Sequence, residues 1–324
     1  MRSLLLLFAL PAAALAQGTL APSAAPAPSM RTLDQIEARI PLQAGSPGVS
    51  VTEGRIQITA TGSYYLTGNV TVASGTALSI GASDVTVDLN GFTLSSTAAT
   101  ASGYGIFITL GKTNVTIRNG HIRSGETISG GVFAAGPGFT SGIYGLGLST
   151  TTVEDVSVVG VPYYGILLNA QTETNAVRRC FVDTCAGTGI TATRATDCTA
   201  SQCGSGFLVI IAARCSANSL SGTAINATCA ADCDAFSAYT TAIAATIVRN
   251  SDVLSNATTG ASLTATCASN CTSYVSAIPG FTITGVASFC RATGQSSGNG
   301  MTGRFAFGCT SDRPIATTYS TFCH

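Results

Sequence analysis

The chain has 324 residues, of which 9% are charged and 45% are hydrophobic, and its 15 Lys and Arg residues balance 15 Asp and Glu residues. Because an average soluble domain is about 25% charged, this composition excludes a disordered acidic or basic tail. A chain with no net charge also lacks the long-range field that attracts phosphate backbones. We therefore expect no nucleic acid partner.

The first 16 residues have the pattern of a secretory signal peptide. Arg2 supplies a basic start, residues 4–7 begin an apolar stretch, and residues 14–16 read Ala-Leu-Ala, which is typical of a cleavage site. The whole apolar run, residues 4–16, is shorter than the about 20 residues that a membrane-spanning helix needs. We expect no membrane span, and a secreted or cell-surface protein that begins at Gln17 after cleavage.

The next two segments precede the main fold. Residues 17–29 are mostly Ala, Pro and Ser, a composition typical of a flexible spacer. Residues 30–49 are predicted to form an N-terminal cap. Within it, residues 30–42 carry apolar side chains at helical spacing, namely Leu33, Ile36 and Ile40. We expect one short capping helix over residues 30–42.

The rest of the chain is a repeat array. A ladder of cysteines, with one serine, recurs every 17 to 20 residues: Cys180, Cys198, Cys215, Cys233, Ser251, Cys271, Cys290 and Cys309. Short β-branched runs and recurring glycines, read as turns, fill each unit, and helical periodicity does not return. Such a unit cannot bury its own apolar face and must stack on its neighbours. The pattern predicts a parallel β-solenoid over residues 50–310, followed by a C-terminal tail, residues 311–324.

Three early segments resemble a known family. Residues 62–69 (GSYYLTGN), 84–92 (DVTVDLNGF) and 117–120 (IRNG) are similar to the opening coils of exported bacterial right-handed parallel β-helix repeat proteins. The resemblance implies an all-β, right-handed parallel β-helix of the pectate-lyase-like fold group. That group includes polysaccharide lyases and hydrolases, but most close relatives have no assigned activity, so the fold alone does not imply a function.

The residue before each ladder position forms a second column. Its middle members alternate in charge: Asp155, Arg179, Asp197, Arg214 and Asp232. Equivalent residues of stacked coils lie about 4.8 Å apart, so we expect a column of neutralising pairs. The flanking members are asparagines, Asn90, Asn119, Asn250 and Asn270. Because asparagine tolerates the left-handed backbone region, the column is expected to mark one bend of the coil.

The chain has 12 cysteines, and in an exported protein disulfides are the first expectation. Within a coil, Cys229 can pair with Cys233 and Cys267 with Cys271; between adjacent coils, Cys180 can pair with Cys198 and Cys185 with Cys203. The alternative is a row of buried free thiols that pack as small apolar side chains. No metal site and no cofactor are predicted, because the chain has only two histidines and lacks the Cys-x-x-Cys spacing of zinc ribbons.

A catalytic role finds little support in the sequence. Lyases and glycosidases on this fold need clustered carboxylates or a Ca²⁺ site with a basic residue. Residues 119–123 (NGHIR) faintly resemble the Gly-His and Arg elements of polygalacturonase-type hydrolases, yet the paired aspartates of those enzymes are not matched. We expect a non-catalytic exported protein, and we keep a polysaccharide lyase or glycoside hydrolase as the alternative.

The irregular early coils carry the candidates for carbohydrate binding: Phe107, His121, Tyr144, Tyr163 and Tyr164. Aromatic faces stack on sugar rings, and a solenoid presents equivalent positions along one line. The alternative for each ring is that it packs an inserted loop onto the helix. The sequence names neither a glycan nor an oligomeric state.

Overall fold

The structure is a computed structural model that describes residues 38–168, 174–256, 261–275, 280–293, 300–312 and 315–321. The predicted signal peptide, residues 1–16, and the spacer, residues 17–29, lie outside the described residues. The chain divides into Met1–Ala38 and Arg39–His324, and the fold described below is that of the second unit.

The second unit is built from short strands. Its described residues contain no helix, and hence none that is long and apolar enough to cross a membrane. The strands are β1 Ile40–Pro41, β2 Val49–Thr52, β3 Arg55–Ile58, β4 Gly62–Tyr65, β5 Val70–Val72, β6 Leu78–Ile80, β7 Val85–Asp88, β8 Thr93–Ser96, β9 Tyr104–Ile108, β10 Val115–Arg123, β11 Thr127–Ser129, β12 Val132–Ala134, β13 Ser141–Gly145, β14 Thr152–Val161, β15 Tyr164–Leu168, β16 Ala176–Arg178, β17 Phe181–Thr196, β18 Thr199–Ala213, β19 Ser216–Ser219, β20 Ile225–Ala231, β21 Asp234–Ser237, β22 Ile243–Arg249, β23 Asp252–Ser255, β24 Leu263–Ser269, β25 Thr272–Val275, β26 Phe281–Ser288, β27 Arg291–Thr293, β28 Met301–Phe307, β29 Thr310–Ser311 and β30 Ile315–Thr321.

The predicted capping helix, residues 30–42, falls mostly outside the described residues. Its last part forms strand β1 instead, which pairs in parallel with β4 through Ile40 with Tyr64 and Pro41 with Tyr65. The amide of Leu42 continues this pairing by donating to the carbonyl of Tyr65 at 2.9 Å. The backbone at residues 40–42 is therefore already part of the first coil.

The strands wind into about 13 turns of a right-handed parallel β-helix, which confirms the predicted fold. Each turn crosses three stacks of parallel strands. We call these three stacks sheet 1, sheet 2 and sheet 3. In the coil formed by residues 216–233, β19 belongs to sheet 2, residues 225–227 of β20 belong to sheet 3, and residues 229–231 of β20 belong to sheet 1. Successive coils keep register, as in the pairs Val182 with Ala200, Ile190 with Phe207 and Ala195 with Ala212. Two antiparallel hairpins, β2–β3 and β11–β12, decorate this frame.

The cysteine ladder lies in the interior and stacks coil on coil as predicted. Cys198 and Cys215 occupy equivalent places in adjacent coils, since the residues that follow them, Thr199 and Ser216, are register partners. Both thiols are almost completely buried. The hydrogen bond with the Cys180 thiol, together with burial, raises the pKa of Cys198 to about 12. The ladder therefore packs as small, uncharged apolar side chains.

The structure contains none of the four predicted disulfides. Cys180, Cys185, Cys198, Cys203, Cys229, Cys233, Cys267 and Cys271 are all free thiols. In each of the two pairs within a coil, the bend lies between the two cysteines. Cys271 is buried whereas Cys267 is exposed, and Cys233 is buried whereas Cys229 is partly exposed, so the two thiols of each pair lie in different environments.

In the two pairs between coils, each thiol donates a hydrogen bond to a backbone carbonyl oxygen of its own coil. Cys180 donates to Arg178 O at 3.2 Å, and Cys198 donates to Thr196 O at 3.2 Å. Cys203 donates to Ser201 O at 3.2 Å. These bonds satisfy the sulfur atoms without a covalent link, which matches the alternative of buried free thiols.

Of the recurring glycines, Gly280 lies just before strand β26 and Gly260 lies outside the described residues. Gly165, Gly189 and Gly206, like the earlier Gly142, lie inside strands rather than in turns, which corrects the sequence interpretation at those positions. Gly142 of β13 is an example, because a Cβ atom there would lie 2.4 Å from the Cγ1 of Val158 and 2.5 Å from the carbonyl oxygen of Gly165. Gly165 of β15 is held in the same way against Val182. The glycines therefore let sheet 3 approach sheet 2 more closely than any side chain would allow.

The column before the ladder forms the bend between sheets 1 and 2, as predicted. All of its members have a left-handed backbone, with φ between 47° and 60°: Asn90, Asn119, Asp155, Arg179, Asp197, Arg214, Asp232, Asn250 and Asn270. Hydrogen bonds run along the column from coil to coil. Arg179 donates to Asp155 at 2.7 Å, Arg214 to Asp197 at 2.6 Å, and Asn250 to Asp232 at 3.1 Å.

The arginines of this column keep their carboxylate partners ionised. The hydrogen bond from Arg179 lowers the pKa of Asp155, and the hydrogen bond from Arg214 lowers the pKa of Asp197. All four side chains are substantially exposed, so each pair contributes little to stability on its own. The main effect of the column is to neutralise charges that the stacking of coils brings close together.

Candidate functional site

Sheet 3 carries a cluster of aromatic side chains on three consecutive early coils. Register places Phe107 of β9 beside Tyr144 of β13, and Ser141 of β13 between Tyr104 of β9 and Tyr164 of β15. The isoleucines of these strands, Ile106, Ile143 and Ile166, are fully buried in the core. The rings of Tyr104, Phe107, Tyr144 and Tyr164 are only partly buried and lie against one another. We call Tyr104, Phe107, Tyr144, Tyr163 and Tyr164 the aromatic patch.

Three of the rings are nearly parallel. The ring centroids of Tyr104 and Tyr144 lie 4.7 Å apart with planes inclined by 22°, and those of Tyr104 and Phe107 lie 5.4 Å apart with planes inclined by 19°. Tyr164 is tilted by 57° against Tyr144 at 6.4 Å. Such offset stacking holds each ring in one orientation before any ligand arrives.

The aromatic patch borders a shallow cavity of about 290 Å³, lined by four tyrosines together with Thr140 and Ser141. Tyr163 forms its outer wall and is 61% exposed. Burial raises the pKa of Tyr144, and the neighbouring Tyr104 and Tyr164 add to the shift. The Tyr144 hydroxyl therefore stays protonated and can both donate and accept hydrogen bonds.

The structure brings together four of the five residues that the sequence singled out: Phe107, Tyr144, Tyr163 and Tyr164. Tyr104 was missed, although it contributes the closest ring contact of the patch. Its signal was available in the sequence, since Tyr104-Gly105 has the same aromatic-Gly form as Tyr164-Gly165.

The fifth residue, His121, lies elsewhere. It belongs to β10 in sheet 2, where its register partners are Thr93 and Ser157. Among the described residues its ring nitrogen Nδ1 is buried and has no hydrogen-bond partner. Neither Thr93 nor Ser157 carries a carboxylate, so the register partners of His121 would not orient its imidazole for acid–base chemistry.

No three His, Cys, Asp or Glu side chains come together as metal ligands anywhere in the described part of the chain. The aromatic patch offers hydroxyl groups and ring faces. This arrangement suits the binding of a polar ligand with apolar faces.

The comparison with protein families supports the fold. A family model described as a right handed beta helix region matches residues 54–213. The enzymatically active domain of bacteriophage CBA120 tailspike protein 2 is 14% identical, with a TM-score of 0.34, over 82% of this chain and 37% of that chain. The Azotobacter vinelandii mannuronan C-5 epimerase AlgE4 A-module is 13% identical, with a TM-score of 0.34, over 78% of this chain and 67% of that chain.

The chain thus spans little more than a third of the tailspike structure. No curated protein matches it. The matched family model and the stacked coils of the structure together identify the chain as a right-handed parallel β-helix repeat protein.

Proposed function

We propose that this protein is exported and binds extended polysaccharide, without turning it over, through the aromatic patch. The observation that supports the proposal is the near-parallel stack of Tyr104, Phe107 and Tyr144 on adjacent coils. Aromatic rings give a large apolar contact area, and a tyrosine adds a hydroxyl that hydrogen-bonds at the edge of the site. Sugar rings present the matching combination of an apolar face and a polar rim.

The spacing of the coils favours a long ligand over a compact one. Equivalent residues recur about every 4.8 Å along the helix axis, so a chain of sugars that runs along this axis meets one coil after another. The exposed ring of Tyr163 then closes one side of the cavity. The cavity is open and small, so we expect weak binding.

Binding without turnover is supported by the chemistry of the cavity. Its lining consists of tyrosine, threonine and serine side chains. Glycoside hydrolysis uses a pair of carboxyl groups that flank the scissile bond, and the lining supplies neither an acid nor a base of that kind.

A glycan array with parallel product detection tests the proposal. The double variant Tyr163→Ala/Tyr164→Ala should bind about tenfold more weakly, because each aromatic contact is worth about 0.5 to 1.5 kcal/mol. His121→Ala is the matched control and should bind like the wild type. Release of unsaturated or reducing-end products, abolished by His121→Ala, would establish the lyase or hydrolase alternative instead.

Export has its own test. When the full chain is expressed in a bacterium with a Sec pathway, the exported protein should begin at Gln17. N-terminal sequencing of the purified protein measures this directly. A chain that stays in the cytoplasm with residues 1–16 attached would refute the export half of the proposal.

A further inference from the structure

Sheet 2 carries a second concavity in the later coils, far along the chain from the aromatic patch. It has a volume of about 730 Å³, and we call it the groove. Two columns of outward side chains line it. The first column contributes Asp234 and Asp252, and the second contributes Asn218, Phe236, Leu254 and Tyr274.

The two aspartates place like charges in consecutive coils. Asp234 and Asp252 are register partners, so their Cα atoms lie about 4.8 Å apart. Within the described residues neither carboxylate forms an ion pair. The adjacent members of the column are Ser216 and Thr272, and the first cation, Arg291, lies two coils beyond Asp252.

This pairing contrasts with the bend, where the same stacking always sets an acid beside a base or an amide. Like charges directly opposite each other destabilise a sheet, so the groove retains a repulsion that the bend avoids. A bound cation would relieve it.

The second column supplies apolar surface. Leu254 is 39% exposed and Tyr274 is 58% exposed, with Phe236 beside them on the preceding coil. At the end of the column, Asn218 has a buried Oδ1 atom that accepts no hydrogen bond among the described residues. The two carboxylates and the buried Oδ1 of Asn218 are therefore acceptors that a ligand with hydrogen-bond donors could satisfy, and they lie beside an apolar wall.

We propose that the groove binds a linear amino-sugar polysaccharide with free, protonated amino groups. Its ammonium groups would lie against Asp234 and Asp252, while its ring faces would pack on Phe236, Leu254 and Tyr274. The site is separate from the aromatic patch, and the proposal does not depend on the function proposed for that patch.

The spacing of the coils favours a glycan over a peptide. Successive sugars of a β-1,4-linked chain are turned over relative to each other, so every second ammonium group faces the groove, and one such group can donate to both Asp234 and Asp252 across the step of about 4.8 Å. An extended peptide places side chains on one face about every 6.6 Å, which falls out of step with the coils. A lysine-rich peptide could pair with the aspartates, but its side chains would not stay in step with Phe236, Leu254 and Tyr274 on successive coils.

Calorimetric titration with a β-1,4-linked glucosamine pentamer, beside its fully N-acetylated counterpart, tests the proposal. We expect the free amine form to bind at least tenfold more tightly. Asp234→Asn/Asp252→Asn should lose at least tenfold in affinity for it, because charge-assisted hydrogen bonds become neutral ones. Asp183→Asn is the matched control, since Asp183 also points outward on sheet 2 but does not line the groove.

The double variant should melt no lower than the wild type, because it removes a repulsion rather than a contact. A loss of binding can then be assigned to the groove and not to unfolding. Three results would overturn the proposal: equal binding of the two pentamers, unchanged binding by the double variant, or equally tight binding of an oligolysine with the same number of charges.

Discussion

The buried carboxylate of Asp88 should be the most sensitive charged position of the early coils. Asp88 is only 7% exposed. Its Oδ2 accepts a hydrogen bond from Arg39 at 2.8 Å and lies 3.3 Å from the guanidinium of Arg118. Its Oδ1 accepts from the amide of Asn90 at 2.8 Å and from Asn119 at 3.2 Å. The side chain thus ties strand β1, through Arg39, to the first bends.

Two substitutions separate the contacts with the arginines from the hydrogen bonds that Asn90 and Asn119 donate to Asp88. Asp88→Asn keeps an acceptor for Asn90 and Asn119 but turns an amide toward the two arginines. A hydrogen bond to a charged group is worth about 1.5 to 3 kcal/mol, and Arg118 is exposed enough to recover hydration, so we expect a loss of about 2 kcal/mol. Asp88→Ala also leaves two donors unmatched, which adds about 1 kcal/mol for each and gives a total of about 4 kcal/mol.

Urea unfolding followed by circular dichroism measures both losses. Asp84→Asn is the matched control, because Asp84 is an exposed aspartate whose left-handed φ of 56° suits asparagine. It should change the free energy of unfolding by less than about 0.5 kcal/mol. If Asp88→Asn proves as stable as Asp84→Asn, the buried cluster does not hold the first coils and the reasoning fails.

Three further predictions concern the bend, the glycines and one buried acid. Arg214→Asp should melt lower than Arg214→Ala at low salt, because it places a third carboxylate between Asp197 and Asp232, and equal melting temperatures would contradict the stacking. Gly142→Ala should cost about 3 kcal/mol in urea unfolding, since the backbone oxygen it meets cannot move aside, whereas Gly68→Ala, with open space around it, should cost little. Burial raises the pKa of Glu126, whose Oε2 has no partner among the described residues. Its contribution to stability is therefore present in acid and lost as pH rises through the raised folded pKa, so Glu126→Gln should be more stable than wild type at pH 7 and lose that advantage near pH 4. A constant difference between pH 4 and pH 7 would contradict this account.

The sequence was most informative where the coils are uniform. From Cys180 onward the period varies by only three residues, from 17 to 20, so one aligned column predicts every other position of the coil. The alternating charges at Asp155, Arg179, Asp197 and Arg214 predicted the ion pairs that the bend contains. A fixed register between stacked coils explains this, since one known contact sets its neighbours in every coil.

The sequence was less informative where the coils are irregular, and where the prediction depended on which sheet a side chain belongs to or on how closely two sheets approach. The hairpin of β11 and β12 lengthens the coil after β10, so spacing could not show that His121 and Tyr144 lie on different sheets. The ladder aligns Asp234 with Asp252, one residue after Cys233 and Ser251, but spacing alone does not show that a concavity lies beside the two carboxylates. Gly165, Gly189 and Gly206 were misread as turns because a sequence does not show how closely two sheets approach.

Because every coil repeats the same backbone path, the groove can be lengthened or shortened by inserting or deleting one whole coil. Residues 234–251 run from one aspartate to the residue before its register partner, Asp252. A tandem copy of this segment would insert a coil that keeps the interior ladder, the bend and the hydrogen bonds to both neighbours, and it would bring a third aspartate and a second phenylalanine. Unequal recombination between such similar segments could therefore lengthen or shorten the binding surface in single steps, with no need to redesign the core.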